Sequence, residues 1–196
     1  MIAGVVRGHA RIAGVTAEGQ AYAATDPDLL DWVQATASFG FMEAYHRYAR
    51  PLSRAERDSL LMEAEPAARL YGALGAPRSD RELRALFETM RGRLAGSPIV
   101  FEFLDIMSEV PVLPGFARPF QSLLIKAAVD ILPGWVARRL ELAERGLKPW
   151  ERPAVRAAAS GADRLLLRSS PAVQACRRLG LGETYLYGDP TFRAPV

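Results

Sequence analysis

From Asp26 to Tyr48 the chain carries apolar side chains around most of the circumference of a helix, and such a helix has to be covered by other elements. Its start is marked. Asp26 can cap the free amides, and Pro27 takes the first helical position, where its missing N–H costs nothing. Asp28 complements the positive end of the helix dipole. The spacing predicts a helix to about Tyr48 that ends before Pro51. Leu29, Trp32, Val33, Thr36 and Phe39 share one face, and Leu30, Ala37, Phe41, Ala44, Tyr45 and Tyr48 share another. Gln34, Thr36 and Ser38 are polar groups in an element expected to be buried, so they need hydrogen-bond partners.

Similar punctuation continues downstream. Ser53-Arg54-Ala55-Glu56 and Ser79-Asp80-Arg81-Glu82 each read as a capping box. The first opens a helix through Tyr71, with a bend expected at Pro66. The second opens one carrying Leu83, Leu86, Phe87, Met90 and Leu94, with Gly96 as its stop. Ser97-Pro98 starts another to Glu109, and Pro111, Pro114 and Gly115 form a loop. Further helices are expected around Pro119–Leu132, Gly134–Arg145, Pro153–Arg168 and Pro171–Leu179. Upstream, residues 1–13 read as the end of a helix with Gly14 at its C-terminal cap. Thr16 to Thr25 reads as a loop with a turn at Gly19, and a short strand is an option over Gln20–Ala23. No strand–helix–strand alternation is visible, which argues against a doubly wound sheet. The expected fold is all-α, a multi-helix bundle with a buried central helix. Residues 1–179 form a single helical domain and residues 180–196 an irregular tail. A chain that opens inside a helix also leads to the expectation that an N-terminal part of the domain is missing.

Composition narrows the function classes. Apolar residues make up 49% and charged residues 24%, as in ordinary globular domains. The 25 basic residues are interspersed with 22 acidic ones, without the concentrated stripe of a nucleic-acid surface, so no nucleic-acid partner is expected. Arg81, Arg84, Arg91 and Arg93 read as the coat of a solvated helix face. Cys176 is the single cysteine, which excludes an intrachain disulfide and any cysteine-based zinc or iron–sulfur site. A cytoplasmic setting fits. The first residues lack the zones of a secretory signal, and no apolar run has the length of a membrane span. The nearest, Phe116–Val136, is broken by Arg118, Pro119, Lys126, Asp130 and Pro133. It admits a peripheral membrane contact, though a buried amphipathic helix is the simpler reading.

Chemistry-bearing motifs are few. His9 and His46 are the only histidines, and their spacing rules out a two-histidine helical zinc motif. There is no GxSxG nucleophile turn, dinucleotide fingerprint or phosphate-binding loop. Glu102 with Asp105, and Glu63 with Glu65, read as solvated helix positions. One imidazole suffices for one task, because haem iron takes a single proximal histidine while the porphyrin supplies four nitrogens. By residue type alone, a lone histidine is more often structural.

Several segments together carry a resemblance. They are His9-Ala10-Arg11-Ile12-Ala13-Gly14-Val15, Gly19-Gln20-Ala21-Tyr22-Ala23-Ala24 and Asp26-Pro27-Asp28-Leu29-Leu30-Asp31-Trp32-Val33-Gln34-Ala35-Thr36. Ala44-Tyr45 and Pro51-Leu52-Ser53-Arg54-Ala55-Glu56 follow in order. This ordered set resembles the family of the rubber oxygenase (latex-clearing protein) and the MpaB oxygenase, with a looser fit through about Trp150. The resemblance implies a b-type haem (heme b) that activates dioxygen to cleave carbon–carbon double bonds of a hydrophobic, isoprenoid-like substrate. It implies His9 as the proximal iron ligand, with Trp32 and Thr36 beside the cofactor and Phe39 as a supporting residue. Two departures stand out. Family members usually carry histidine where this chain has Gln34, which cannot take up a proton. The upstream arginine and threonine of the family are also absent. These departures support an alternative from another class, a helical ligand-binding or interaction domain without chemistry.

Overall fold

The computed structural model of the chain describes residues 2–16, 19–111, 115 and 118–187. Helix α1 (Ile2–His9) leads into a two-stranded antiparallel hairpin, β1 (Ala13–Val15) and β2 (Ala21–Ala23). Gly14 pairs with Tyr22 in this hairpin and does not cap a helix, which corrects the sequence expectation. A Cβ on Gly14 would lie 2.8 Å from the Tyr22 hydroxyl, so glycine answers to the close approach of that ring. Gly19, with φ +83°, supplies the expected turn, and the short strand read over Gln20–Ala23 is present as β2.

Helix α2 (Pro27–Ala44) begins as its sequence dictates, with an Asp26 side-chain oxygen accepting from the Asp28 N–H at 3.0 Å. It continues as a π-helical turn (Tyr45–Ala49), closed where the Arg50 N–H donates to the Tyr45 carbonyl at 2.9 Å. Then follow α3 (Arg54–Leu70), α4 (Asp80–Met90), α5 (Pro98–Glu109), α6 (Arg118–Asp130), α7 (Gly134–Arg139), α8 (Arg152–Asp163) and α9 (Pro171–Arg178). The fold is the expected all-α bundle, with the hairpin as its small β element.

α2 is central, with α3, α4 and α6 packed around it. Its Ala35 and Met42 join Leu61, Leu83, Phe87 and Val136 in the main core. Trp32 and Phe39 hold the Phe87 ring between them, at centroid distances of 4.9 and 5.0 Å. The π turn opens a second core, in which Tyr48 meets Ala127, Ile131, Leu147 and Val155. α2 is not covered on all sides, however. Val33 is 62% and Phe41 82% exposed.

Two charged clusters bind the layers. Buried Glu43 accepts from Arg47 at 2.8 Å and from Arg57 of α3 at 2.9 Å. Asp130 accepts from the Tyr48 hydroxyl and from Arg152, both at 2.9 Å. Burial, followed by the bond to Asp130, pushes the Tyr48 hydroxyl far above the usual phenol range.

The helix ends show which local rules hold. Ser53 and Glu56 form the full reciprocal capping box. At the second box Ser79 caps the Glu82 N–H, but the Glu82 carboxylate accepts from the Arg78 N–H, so that box is one-sided. α3 runs through Pro66 and ends in a Schellman motif. Gly72 there has φ +91°, and the Ala73 N–H reaches the Ala68 carbonyl at 3.0 Å. α7 stops at Arg139, short of the expected Arg145, because Glu141 turns to φ 60°. α8 stops at Asp163 instead of Arg168. Beyond Gly180 the described residues form turns, and residues 188–196 lie outside them. So do Pro114 and Phe116, on which part of the expected loop and the start of the candidate membrane stretch fall. Among the described residues no helix is long and apolar enough to cross a membrane.

Candidate functional site

The open side of α2 forms one wall of a cleft of about 1140 Å³. That is the size of a pocket for a sizeable small molecule. Gln34, Ser38, Phe41 and Tyr45 recur at helical spacing, so they make one stripe along α2 and the π turn. Leu60 and Ala64 face them from α3, one turn apart. Helix packing alone brings the two stripes together. Met42 and Leu61 form an apolar floor, and Tyr71, Asp163 and Tyr185–Tyr187 complete the rim.

The polar groups concentrate at one end. Arg50 pairs with Glu56 at 2.7 Å, and its guanidinium lies 6.0 Å from the centre of the Tyr45 ring. The Ser53 backbone amide, with the Ser53 side chain and Arg50 behind it, holds Glu56 down to about 2, so it is ionised at neutral pH. Arg50 Nε is buried, with no hydrogen-bond partner among the described residues. Further along the α2 stripe the Gln34 amide donates weakly to the Ser38 hydroxyl at 3.5 Å.

The residues expected to serve a cofactor are not gathered here. Trp32 is a core ring on Phe87. The Thr36 hydroxyl donates to the Trp32 carbonyl at 3.0 Å, within its own helix. Both sit on the core side of α2. His9 is half-buried at the end of α1, a helix with no buried residue, and it does not line the cleft. His46 accepts from the Leu52 N–H at Nδ1, 2.8 Å away. That bond leaves its proton on Nε2 and makes it a brace between the π turn and the segment leading to α3.

Haem chemistry asks for an axial imidazole and apolar walls. His9 is an imidazole of that type, and Val5, Val6 and Ile12, close to it in sequence, are exposed. None of these flanking side chains is buried, nor is any residue of α1. Among the described residues no group of three His, Cys, Asp or Glu is placed to hold a metal ion.

Sequence reasoning missed Phe41, Leu60 and Arg50 as site residues. Phe41 was assigned to a core face because its type and spacing do not tell a core from a cleft. The available signal was Gln34 and Ser38 on the same stripe, two polar side chains where a core would exclude them.

The family model described as ER-bound oxygenase mpaB/B'/Rubber oxygenase, catalytic domain, matches residues 1–164 of this chain. No curated protein and no solved structure matches it significantly.

Proposed function

The chain belongs to the family of the ER-bound oxygenase mpaB/B'/rubber oxygenase catalytic domain, and on that premise we propose that it is a haem-dependent oxygenase-type domain. In this reading the α2–α3 cleft holds a hydrophobic, isoprenoid-like small molecule. The observation that carries the reading is the cleft itself, with an apolar floor of Met42 and Leu61 and with Phe41, Leu60 and Ala64 on its walls among polar side chains such as Gln34 and Ser38. An apolar floor and walls with a few polar groups suit a largely apolar molecule. Phe41 and Leu60 grip the chain of such a ligand. The Gln34 amide donates to an oxygen on it and sets its direction along the groove. Because Gln34 does not titrate, it orients a ligand but relays no proton.

Haem b would be held through the His9 imidazole and, when bound, would supply the activation of dioxygen. Trp32 and Thr36 stiffen α2 from the core side and so hold the cleft stripe in register. One observation favours a second reading, a ligand-binding domain without redox chemistry: His9 does not line the cleft. One experiment separates the two. Purified protein is titrated with hemin, beside His9→Ala, and each is then tested for oxygen consumption with an unsaturated isoprenoid. A sharp Soret band lost in the variant, with oxygen uptake, supports the oxygenase. Binding of an apolar fluorescent probe without a Soret band supports the second reading and removes the first.

A further inference from the structure

A second concavity, of about 400 Å³, lies where the N-terminal ends of α3 and α4 meet. Its lining is Arg54, Arg57, Asp80, Arg81 and Arg84, four guanidiniums against one carboxylate. The register makes this arrangement. Arg54 and Arg57 are three apart on α3, and Arg81 and Arg84 are three apart on α4, so each pair shares a face. The backbone N–H of Asp80 donates to an Asp58 side-chain oxygen at 2.7 Å, locking the start of α4 onto α3 and bringing the two faces together.

The acidic groups nearby are already engaged. Asp80 is buried and accepts from Arg84 at 2.8 Å, with Arg57 at 3.6 Å. Arg57 is further held by Glu43 at 2.9 Å, and only 13% of its side chain is exposed. Glu56 accepts from the Ser53 N–H, and Glu82 from the Arg78 N–H, so both turn back onto their own helix starts. Asp58 is occupied by the Asp80 amide. Two guanidiniums are thus fixed in place by internal carboxylates, while Arg54 and Arg81 have no ion-pair partner among the described residues. The positive ends of two helix dipoles add to the same field.

We infer that this concavity is a binding site for a multiply charged phosphate-type anion, a diphosphate or a phosphate monoester, separate from the α2–α3 cleft. Arginine matches such groups because its planar fork meets two phosphate oxygens at once. Little-exposed Arg57 forms the floor, exposed Arg84 stands at the wall on its bond to Asp80, and Arg54 and Arg81 close over the anion. The volume accommodates a phosphate or diphosphate head group and leaves the rest of a larger molecule outside. Carboxylate-bearing ligands with a single charge gain less, because one charge is already balanced by Asp80.

The test is calorimetric titration of the full chain with inorganic pyrophosphate at low ionic strength, beside the exposed-site double variant Arg54→Ala/Arg81→Ala. The expected result is one site per chain, weakened by added salt, and weakened at least roughly tenfold in the variant, since each lost charge-assisted bond is large enough for that. Circular dichroism melting of the variant checks that the fold persists, and Arg81→Lys should restore part of the binding. A parallel arm uses vesicles bearing a phosphomonoester head group against neutral phosphatidylcholine vesicles. Binding to both pyrophosphate and those vesicles assigns the site to a lipid-borne phosphate, and binding to pyrophosphate alone assigns it to a soluble one. Absence of binding in the millimolar range, or affinity unchanged in the double variant, overturns the inference.

Discussion

Two phenylalanines in the same bundle should differ sharply in what their truncation costs. Phe87 of α4 is 6% exposed and held between Trp32 and Phe39, whereas Phe41 of α2 is 82% exposed. A buried phenylalanine removes roughly 150–250 Å² from water, and its loss from a packed core costs about 3–5 kcal/mol once the cavity is included. Phe87→Ala should therefore cost that much. Phe41 keeps less than a fifth of its surface from water, worth under ~1 kcal/mol, and alanine's better helix propensity returns about half a kcal/mol. Phe41→Ala should change stability by no more than about 0.5 kcal/mol. Guanidinium unfolding followed by circular dichroism reads both, through the midpoint at constant slope. Phe41→Ala should nevertheless weaken binding of an apolar fluorescent probe, because Phe41 lines the cleft. A loss above about 2 kcal/mol in Phe41→Ala would refute the reasoning, since it would mean that something covers this ring in solution. Unchanged probe binding would remove Phe41 from the site.

Three further outcomes follow from particular contacts. Burial alone would raise Glu43, but the guanidiniums of Arg47 and Arg57 outweigh it and hold the carboxyl below its usual range. Its contribution is then fully present above the unfolded value and is lost as pH falls through the lower folded value. Melting curves from neutral pH down to about pH 3 should show an acid limb that flattens in Glu43→Ala, which should itself cost about 3 kcal/mol at neutral pH. Gly72→Ala should cost about 1–2 kcal/mol, because φ +91° and a Leu30 methyl 3.1 Å from the new Cβ both oppose it; a neutral result in urea unfolding would deny the Schellman ending. His46→Ala strips the Leu52 N–H of its acceptor and should cost about 1–3 kcal/mol in the same assay, whereas His46→Gln should recover part of that loss.

What the sequence disclosed was what short-range chemistry decides. Asp26-Pro27 began α2, Ser53 and Glu56 closed a capping box, and Pro98 opened α5, each because a few neighbouring atoms settle the outcome. The π turn at Tyr45–Ala49 had no such local mark. It widens the helix where Tyr48 reaches Asp130 and Ala127, contacts some eighty residues away. Gly14 read as a helix stop because glycine serves both a cap and a close strand contact, and the ring of Tyr22 decides between them.

The cleft was illegible for a related reason. It belongs to neither α2 nor α3 but to the gap between their stripes, and periodicity reports that a face is apolar without reporting what stands opposite. Gln34 connects the two levels. In the sequence it is one of the two departures from the resemblance, a glutamine where the resemblance leads one to expect histidine. In the fold it stands on the cleft wall, on the stripe it shares with Phe41 and Tyr45. A substitution at a random surface site would carry no meaning for ligand handling. One on the wall of the cleft exchanges a group that can take up a proton for one that can only hold a hydrogen bond. Gln34→His therefore bears directly on chemistry. It should leave the melting temperature within a few degrees, since Gln34 is half-buried and bonded only weakly to Ser38. It should also give ligand binding a pH dependence between about pH 5 and 8 that the glutamine chain lacks. A flat profile in both proteins would mean that the cleft wall at this position does not touch the ligand.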